Sequence, residues 1–218
     1  MELRFLSPPP PQIQATILLR QRSLEGIRVC SYLNDNTPRH RFARVSNPIS
    51  VPAIHPETRI GHVHLKVADI DRALAFYRDV LGFEVTQRIG NTAAFLSAGG
   101  YHHHIGLNTW ESRSGSAPAP GTTGLYHLAI VYPTRAELAD ALRRLIRAHI
   151  PLEGAADHGV SQALYLRDPD GNGVELYWDR PEAEWPRNQQ GELAMVTAPL
   201  DLDELLTQHA TGSAASAV

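Results

Sequence analysis

The chain has one cysteine, Cys30, and one lysine, Lys66, among its 218 residues, and nowhere runs to eighteen consecutive apolar residues. A single thiol excludes a disulfide within the chain and a zinc site built on Cys, and it points to a reducing, cytoplasmic setting. One Lys leaves no polybasic patch for phosphate or lipid. The missing apolar run leaves no segment to span a membrane as a helix. Basic charge is also scarce after the first quarter of the chain. Residues 1–55 hold seven Arg against three acids, whereas the remainder holds 13 basic against 20 acidic residues, which argues against nucleic acid as the partner. What the chain does have is eleven His. Any metal site must therefore be made of imidazole and carboxylate.

The stretch from Asp157 to Trp178 carries the densest chemistry. His158, Tyr165 and Glu175 surround an Asp168-Pro169-Asp170-Gly171-Asn172-Gly173 turn, whose Pro and Gly positions separate two strands. Alternation puts Leu164 and Leu166 on one face of the first strand and Tyr165 on the other. On the second strand Val174, Leu176 and Trp178 form the apolar set, opposite Glu175 and Tyr177. A carboxylate on an inner strand needs a metal, a proton or a cation to offset its burial, whereas on an edge strand it simply sits in water.

Two similar units fill the middle of the chain. In the first, Val63, Leu65 and Val67 alternate with His62, His64 and Lys66. Asp69 then caps a helix carrying Ala73, Leu74, Tyr77, Val80 and Leu81, which Gly82 ends. Strands are expected over residues 83–89, 92–98 and 101–110. A Ser/Gly/Pro-rich linker at 112–124 leads to the second unit. There Leu128 and Ile130 alternate with His127, Ala129 and Val131, and Thr134 and Glu137 form a capping box before a helix striped with Leu138, Leu142, Leu145 and Ile146. Strands near 150–154, 162–167 and 173–178 complete it. His62 stands seven residues before its cap Asp69 and His127 seven before its cap Thr134, so the two His are structurally equivalent.

The ends of the chain read differently. Residues 1–55, with four consecutive Pro at 8–11 and no apolar period, read as a disordered extension. A domain at 56–182 follows, with module one at about 60–110 and module two at about 125–178. The tail at 183–218 carries a short helix at 201–208. Trp185 in that tail is either a packing anchor or a cover for a pocket mouth.

The spacing of His158, Leu164-Tyr165, Asp168-Pro169, Gly171 and Glu175 resembles the signature of the type I extradiol ring-cleavage dioxygenases of the vicinal oxygen chelate superfamily. It departs at Ala156, where the family usually has Gly, Asn, Thr, Ile or Val. The resemblance extends over about residues 60–178. It implies an α+β fold in which paired βαβββ modules form a curled mixed β-sheet around a metal site, as in the glyoxalase, bleomycin resistance and extradiol dioxygenase proteins. The helices would cover the convex face, leaving His62, His127 and Glu175 on the concave one.

Two imidazoles and one carboxylate leave adjacent positions open for non-haem Fe(II), and the same donors suit Zn(II) with a water. The resemblance favours Fe(II), with Mn(II) as the alternative, held by His62, His127 and Glu175. It implies cleavage of a catechol-type substrate by O2 in a homo-oligomer, with His104, His158 and Tyr165 as the catalytic residues. Alternation places His102 and His104, but not His103, toward the concave side, and a slip of two residues would substitute His102 for His104. Tyr177 is the best-placed ring-pocket residue, ahead of Trp110 and Trp178.

Two rivals share the fold. A glyoxalase-like isomerase holding Zn(II) or Ni(II) usually has an acid on the last strand of both modules, and residues 104–110 contain none. A non-enzymatic binder of the bleomycin-resistance kind would not need the triad. Fold alone does not choose between these chemistries.

Overall fold

Asp69 starts the first helix by a local bond: its side chain accepts the Arg72 N–H, and the helix α1 runs Ile70–Tyr77. Gly82 closes the turn beyond it at φ +89, a conformation that costs Gly little. Thr134 does the same for α2, Arg135–Arg147, by accepting the Glu137 N–H. These two caps fix the modules in a computed structural model that describes residues 52–209. The proposed extension before residue 52 and the chain end after residue 209 lie outside the described residues.

The architecture is α+β, with two βαβββ modules in sequence. Module one contains β1 (Val63–Lys66), α1, β2 (Glu84–Ile89), β3 (Ala93–Ser97) and β4 (Ile105–Asn108), in the sheet order β1-β4-β3-β2. Module two contains β5 (Leu128–Val131), α2, β6 (Leu152–Asp157), β7 (Ser161–Arg167) and β8 (Gly173–Asp179). Its order is β5-β8-β7-β6, with β9 (Ala198–Pro199) added beside β6. In each module the first strand lies parallel to the last, and the other pairs are antiparallel. The tail carries defined elements before residue 209, the last described residue. After a short 3₁₀ turn at Glu182–Glu184 and β9, the helix α3 (Leu202–Leu206) buries Leu205 completely, and Arg135 pairs with Glu204. Among the described residues no helix is long and apolar enough to cross a membrane.

One continuous core joins the modules. Leu65, Val67 and Leu107 of the first sheet and Leu128, Leu164 and Leu176 of the second pack with Leu74, Leu138, Leu142 and Leu145 of the two helices. Polar links reinforce it at the Asp168–Gly173 turn. The Asp168 carboxylate accepts bonds from the N–H of Asp170 and Asn172, the Asn172 side chain and the buried Tyr77 hydroxyl at 2.9 Å. Asp170 Oδ1 accepts the Ala68 N–H at 2.8 Å and Arg72 Nη2 at 2.6 Å. At the far ends of the helices the Arg144 guanidinium occupies the space that a Cβ on Gly82 would fill.

The modules thus meet through their helix-bearing faces. The paired modules expected from the sequence are present, each with its own mixed ladder, and among the described residues β1 and β5 each have one hydrogen-bonded neighbour, β4 and β8.

Candidate metal centre and proton relay

The site grows from the start of β5. His127 lies one residue before the strand, opposite Gly173, because Leu128 pairs with Val174 in parallel register. That closeness requires glycine for space rather than for φ. A Cβ at Gly173 would collide with the Tyr126 carbonyl oxygen and lie 3.0 Å from His127 Cα and Cβ. Two residues on, Glu175 rises from the same sheet face as Tyr165, its direct partner across the β7–β8 ladder.

Four side chains form a chain of contacts. His127 Nε2 stands 2.9 Å from Glu175 Oε2, the Tyr165 hydroxyl donates to Glu175 Oε1 at 3.0 Å, and His158 Nε2 lies 2.7 Å from that hydroxyl oxygen. Glu175 is only 13% exposed and His127 31%. Burial, and then the Glu175 carboxylate beside it, push the Tyr165 phenol up to about 12. Tyr165 therefore remains a proton donor through the neutral range. A hollow of about 300 Å³ opens beside His127 and Tyr165, bounded also by Tyr126, Gly154 and Arg167.

The His127–Glu175 pair fits a cation. Two donors about 2.0–2.2 Å from one ion and at right angles around it stand about 3 Å apart, which is the separation seen here. Nε2, the nitrogen beside the carboxylate, is the one on the side of such an ion, while Nδ1 is buried with no hydrogen-bond partner among the described residues.

His62 occupies the matching place one residue before β1, but in module one. It is exposed, its ring centroid 4.4 Å from that of His103. Among the described residues no three His, Cys, Asp or Glu side chains form a group able to hold a metal ion. The structure therefore brings His127, Glu175, Tyr165 and His158 together and leaves His62 and His104 apart from them. His104 turns to the β3 end, its Nδ1 3.2 Å from Ser97 Oγ and accepting the Ala98 N–H.

Alternation misplaces the His triplet for a simple reason. β4 begins only at Ile105, so residues 102–104 follow a bend rather than a pleat. His103, expected to face away, lies against His62 and Phe95, while His102 contacts Tyr101 and His103. Burial and the neighbouring His, His62 first among them, lower the His103 pKa.

The tail supplies what sequence periodicity did not indicate. The Val196 carbonyl oxygen lies 3.1 Å from His158 Nδ1, and the Val196 N–H donates to the His158 carbonyl. Thr197 Oγ1 is 3.3 Å from the same nitrogen. Trp185, by contrast, anchors the tail by donating to the Arg180 carbonyl. No local pattern in the sequence announces a contact between residues nearly forty positions apart.

Comparison with known proteins bears on the same residues. Residues 59–176 match the family described as Glyoxalase/Bleomycin resistance protein/Dioxygenase superfamily. The chain is 41% identical over 157 residues to a catechol-2,3-dioxygenase of Bacillus subtilis, covering 72% of this chain and 54% of that protein. It is 35% identical over 123 residues to biphenyl-2,3-diol 1,2-dioxygenase 3 of Rhodococcus globerulus, covering 56% of this chain and 63% of that protein. Among solved structures, a glyoxylase/bleomycin resistance protein/dioxygenase domain from Frankia is similar, with a TM-score of 0.48 and 25% identity over 56% of this chain and 98% of that one. The chain thus spans between about half and two thirds of the length of these two curated relatives.

Proposed function

From a chain that belongs to the glyoxalase/bleomycin resistance protein/dioxygenase superfamily, we propose a metal-dependent extradiol dioxygenase that opens the ring of a catechol-type substrate with O2. The observation that carries this reading is the contact chain His158–Tyr165–Glu175–His127. It sets a proton-handling pair beside a carboxylate and imidazole spaced as neighbouring ligands. The dioxygenase names of the two curated relatives support it. We place the protein in the cytoplasm, a setting that its lone Cys30 suits.

The metal ligands in this reading are His127 and Glu175, which lie together, and His62, which the resemblance adds from module one although it stands apart from them within the chain, with Fe(II) or, in its place, Mn(II) as the ion. When bound, such an ion supplies the redox chemistry with dioxygen and acidifies a chelating diol.

The protein's own contribution is position and protons. The Tyr165 hydroxyl faces two acceptors, Glu175 Oε1 and His158 Nε2, and has one proton to give. With Nδ1–H directed at the Val196 carbonyl, a neutral His158 presents an Nε2 lone pair that competes with Glu175 for the Tyr165 hydrogen. When His158 instead carries a proton on both nitrogens, its Nε2–H donates to the phenol oxygen and frees the Tyr165 hydrogen for Glu175. The pair can therefore collect a proton from a substrate hydroxyl and return it to the opened ring. His104, on module one, joins this machinery wherever His62 does. The hollow beside His127 accommodates the ring, and Tyr126 lies at its edge.

The test is anaerobic reconstitution with Fe(II), followed by catechol and air. A yellow ring-opened product with matching oxygen uptake is the expected result. No colour with a range of catechols, together with Zn(II)- or Ni(II)-dependent thioester formation from an aldehyde and a thiol, replaces the dioxygenase with an isomerase.

A further inference from the structure

We infer that the tail strap at residues 185–199 is a working part of the site: the Val196 carbonyl and the Thr197 hydroxyl are positioning groups that hold His158 as a base facing Tyr165. This rests on the proton-handling reading above and deepens it. The two ring nitrogens of His158 have different surroundings. Nε2 lies 2.7 Å from the Tyr165 hydroxyl oxygen, whereas Nδ1 lies 3.1 Å from the Val196 carbonyl oxygen and 3.3 Å from Thr197 Oγ1. A carbonyl has no hydrogen to give, so its contact is a hydrogen bond only when Nδ1 carries the proton. A neutral imidazole has one such proton, which leaves Nε2 with a lone pair directed at the phenol. Nothing on the Tyr165 side makes that choice. With the proton on Nε2 instead, the ring would donate to the phenol oxygen while Tyr165 donates to Glu175, and every group there would still be paired. The strap is what selects the base.

The grip is built from backbone and from distant anchors. The Val196 N–H donates to the His158 carbonyl, so one residue bonds both the main chain and the ring of His158. Gly159 makes room for it. At φ +76, a Cβ there would lie 2.9 Å from Pro186 Cγ and 3.2 Å from Val196 Cγ2. The strap has little apolar packing of its own, since Leu193, Met195 and Val196 are all exposed. It is held at its ends. Trp185 donates to the Arg180 carbonyl on one side, and on the other β9 pairs with β6 before α3 buries Leu205. A polar line then runs from α3 back to the residues beside His158. Arg135 joins Glu204 to Gln162 at 2.8 and 2.7 Å, and Asp157 accepts the Gln162 amide and the Gly159 N–H, each at 2.8 Å. The place of the Val196 carbonyl is therefore set by α2 and the second sheet. When His158 takes a proton on Nε2, Nδ1–H stays on that carbonyl, so the imidazolium has no donor left without a partner.

The decisive experiment reads the tautomer and the turnover in the same chains. Nitrogen NMR of the full-length chain without metal, with the His158 ring assigned by its loss in His158→Asn, is expected to show the neutral ring protonated on Nδ1 and bare on Nε2. Val196→Pro removes the N–H that grips the His158 carbonyl. The proton should then be shared between the two nitrogens, and kcat of the Fe(II)-loaded chain on catechol should fall by about 10–100-fold, the usual cost of losing a partner that orients a functional His. KM and metal content should stay at wild-type values, because neither the ring pocket nor a ligand is altered. A wild-type ring protonated on Nε2 overturns the inference. So does a Val196→Pro chain whose tautomer shifts while kcat holds, or whose kcat falls while the tautomer holds. A locked tautomer that Val196→Pro releases, in chains that never cleave catechol, upholds the strap's hold on His158 and removes only the dioxygenase.

A second pair of variants guards against misfolding of the strap. Thr197→Val keeps the shape of an exposed side chain and removes only its hydroxyl. A smaller loss of kcat with a partial shift of the tautomer is expected, and Thr197→Ser should restore both. Thr197→Val with wild-type tautomer and turnover, or Thr197→Ser as impaired as Thr197→Val, would overturn the part assigned to the hydroxyl.

Discussion

His158 Nε2 and the Tyr165 hydroxyl oxygen stand 2.7 Å apart, and the same hydroxyl donates to Glu175 at 3.0 Å. The phenol is thus held between an imidazole and a carboxylate that cannot both receive its one proton. Tyr165→Phe removes the shared hydrogen and keeps the ring. Turnover is expected to fall by about 10²–10⁴-fold, the usual range for loss of a general acid or base. Metal content should be unaffected, since no ligand is altered. Loss of metal in step with activity would assign Tyr165 to holding Glu175 rather than to proton transfer.

The Tyr165 phenol, pushed up to about 12, has a second consequence. Its unfolded value is about 10. Between those values the folded chain keeps a proton that the unfolded chain has lost. The contribution of this group to stability is therefore complete below about pH 10 and is lost as pH rises toward 12. Tyr132, also pushed to about 12 by burial, acts in the same direction. Near-ultraviolet absorbance should show a late phenolate step that Tyr165→Phe diminishes, and thermal stability should decline over the same window. Unchanged late ionisation in the variant would refute the assignment.

Gly173→Ala tests the space beside His127. The added methyl collides with the Tyr126 carbonyl and presses on His127 Cα, backbone that cannot rotate away. Overpacking of this kind costs about 1–3 kcal/mol. Metal affinity should suffer as well, because His127 must move. Isothermal titration of the metal and a thermal melt read the two effects separately, and wild-type values in both would show that β5 shifts freely.

Tyr77→Phe tests the join between modules. The buried hydroxyl donates to Asp168, and burial together with that carboxylate holds its pKa well above the ordinary phenol value. Losing a hydrogen bond to a charged group costs about 1.5–3 kcal/mol. The other three bonds to Asp168 keep the turn, so metal content should hold while the melting temperature drops. A melting temperature equal to wild type would mean that water replaces the hydroxyl.

Local chemistry was readable where bonds are local. The two caps, the turn built on Asp168 and the pairing of Tyr165 with Glu175 follow from short-range hydrogen bonding and strand alternation, and each has its counterpart in the structure. The equal seven-residue spacing of His62 and His127 from their caps likewise marked equivalent places, each one residue ahead of a strand. The His triplet was less legible, because alternation applies only where a pleat exists, and β4 starts after it.

By itself, then, the order of residues determined two βαβββ modules and the side chains each presents, since caps, periodicity and turns act over a few positions. Only the tertiary structure decided which faces of the modules meet. That choice depends on how the apolar sides of two helices and two sheets share one core, a matter of packing between distant segments. It puts His127, Glu175, Tyr165 and His158 within contact and turns His62 toward a different surface.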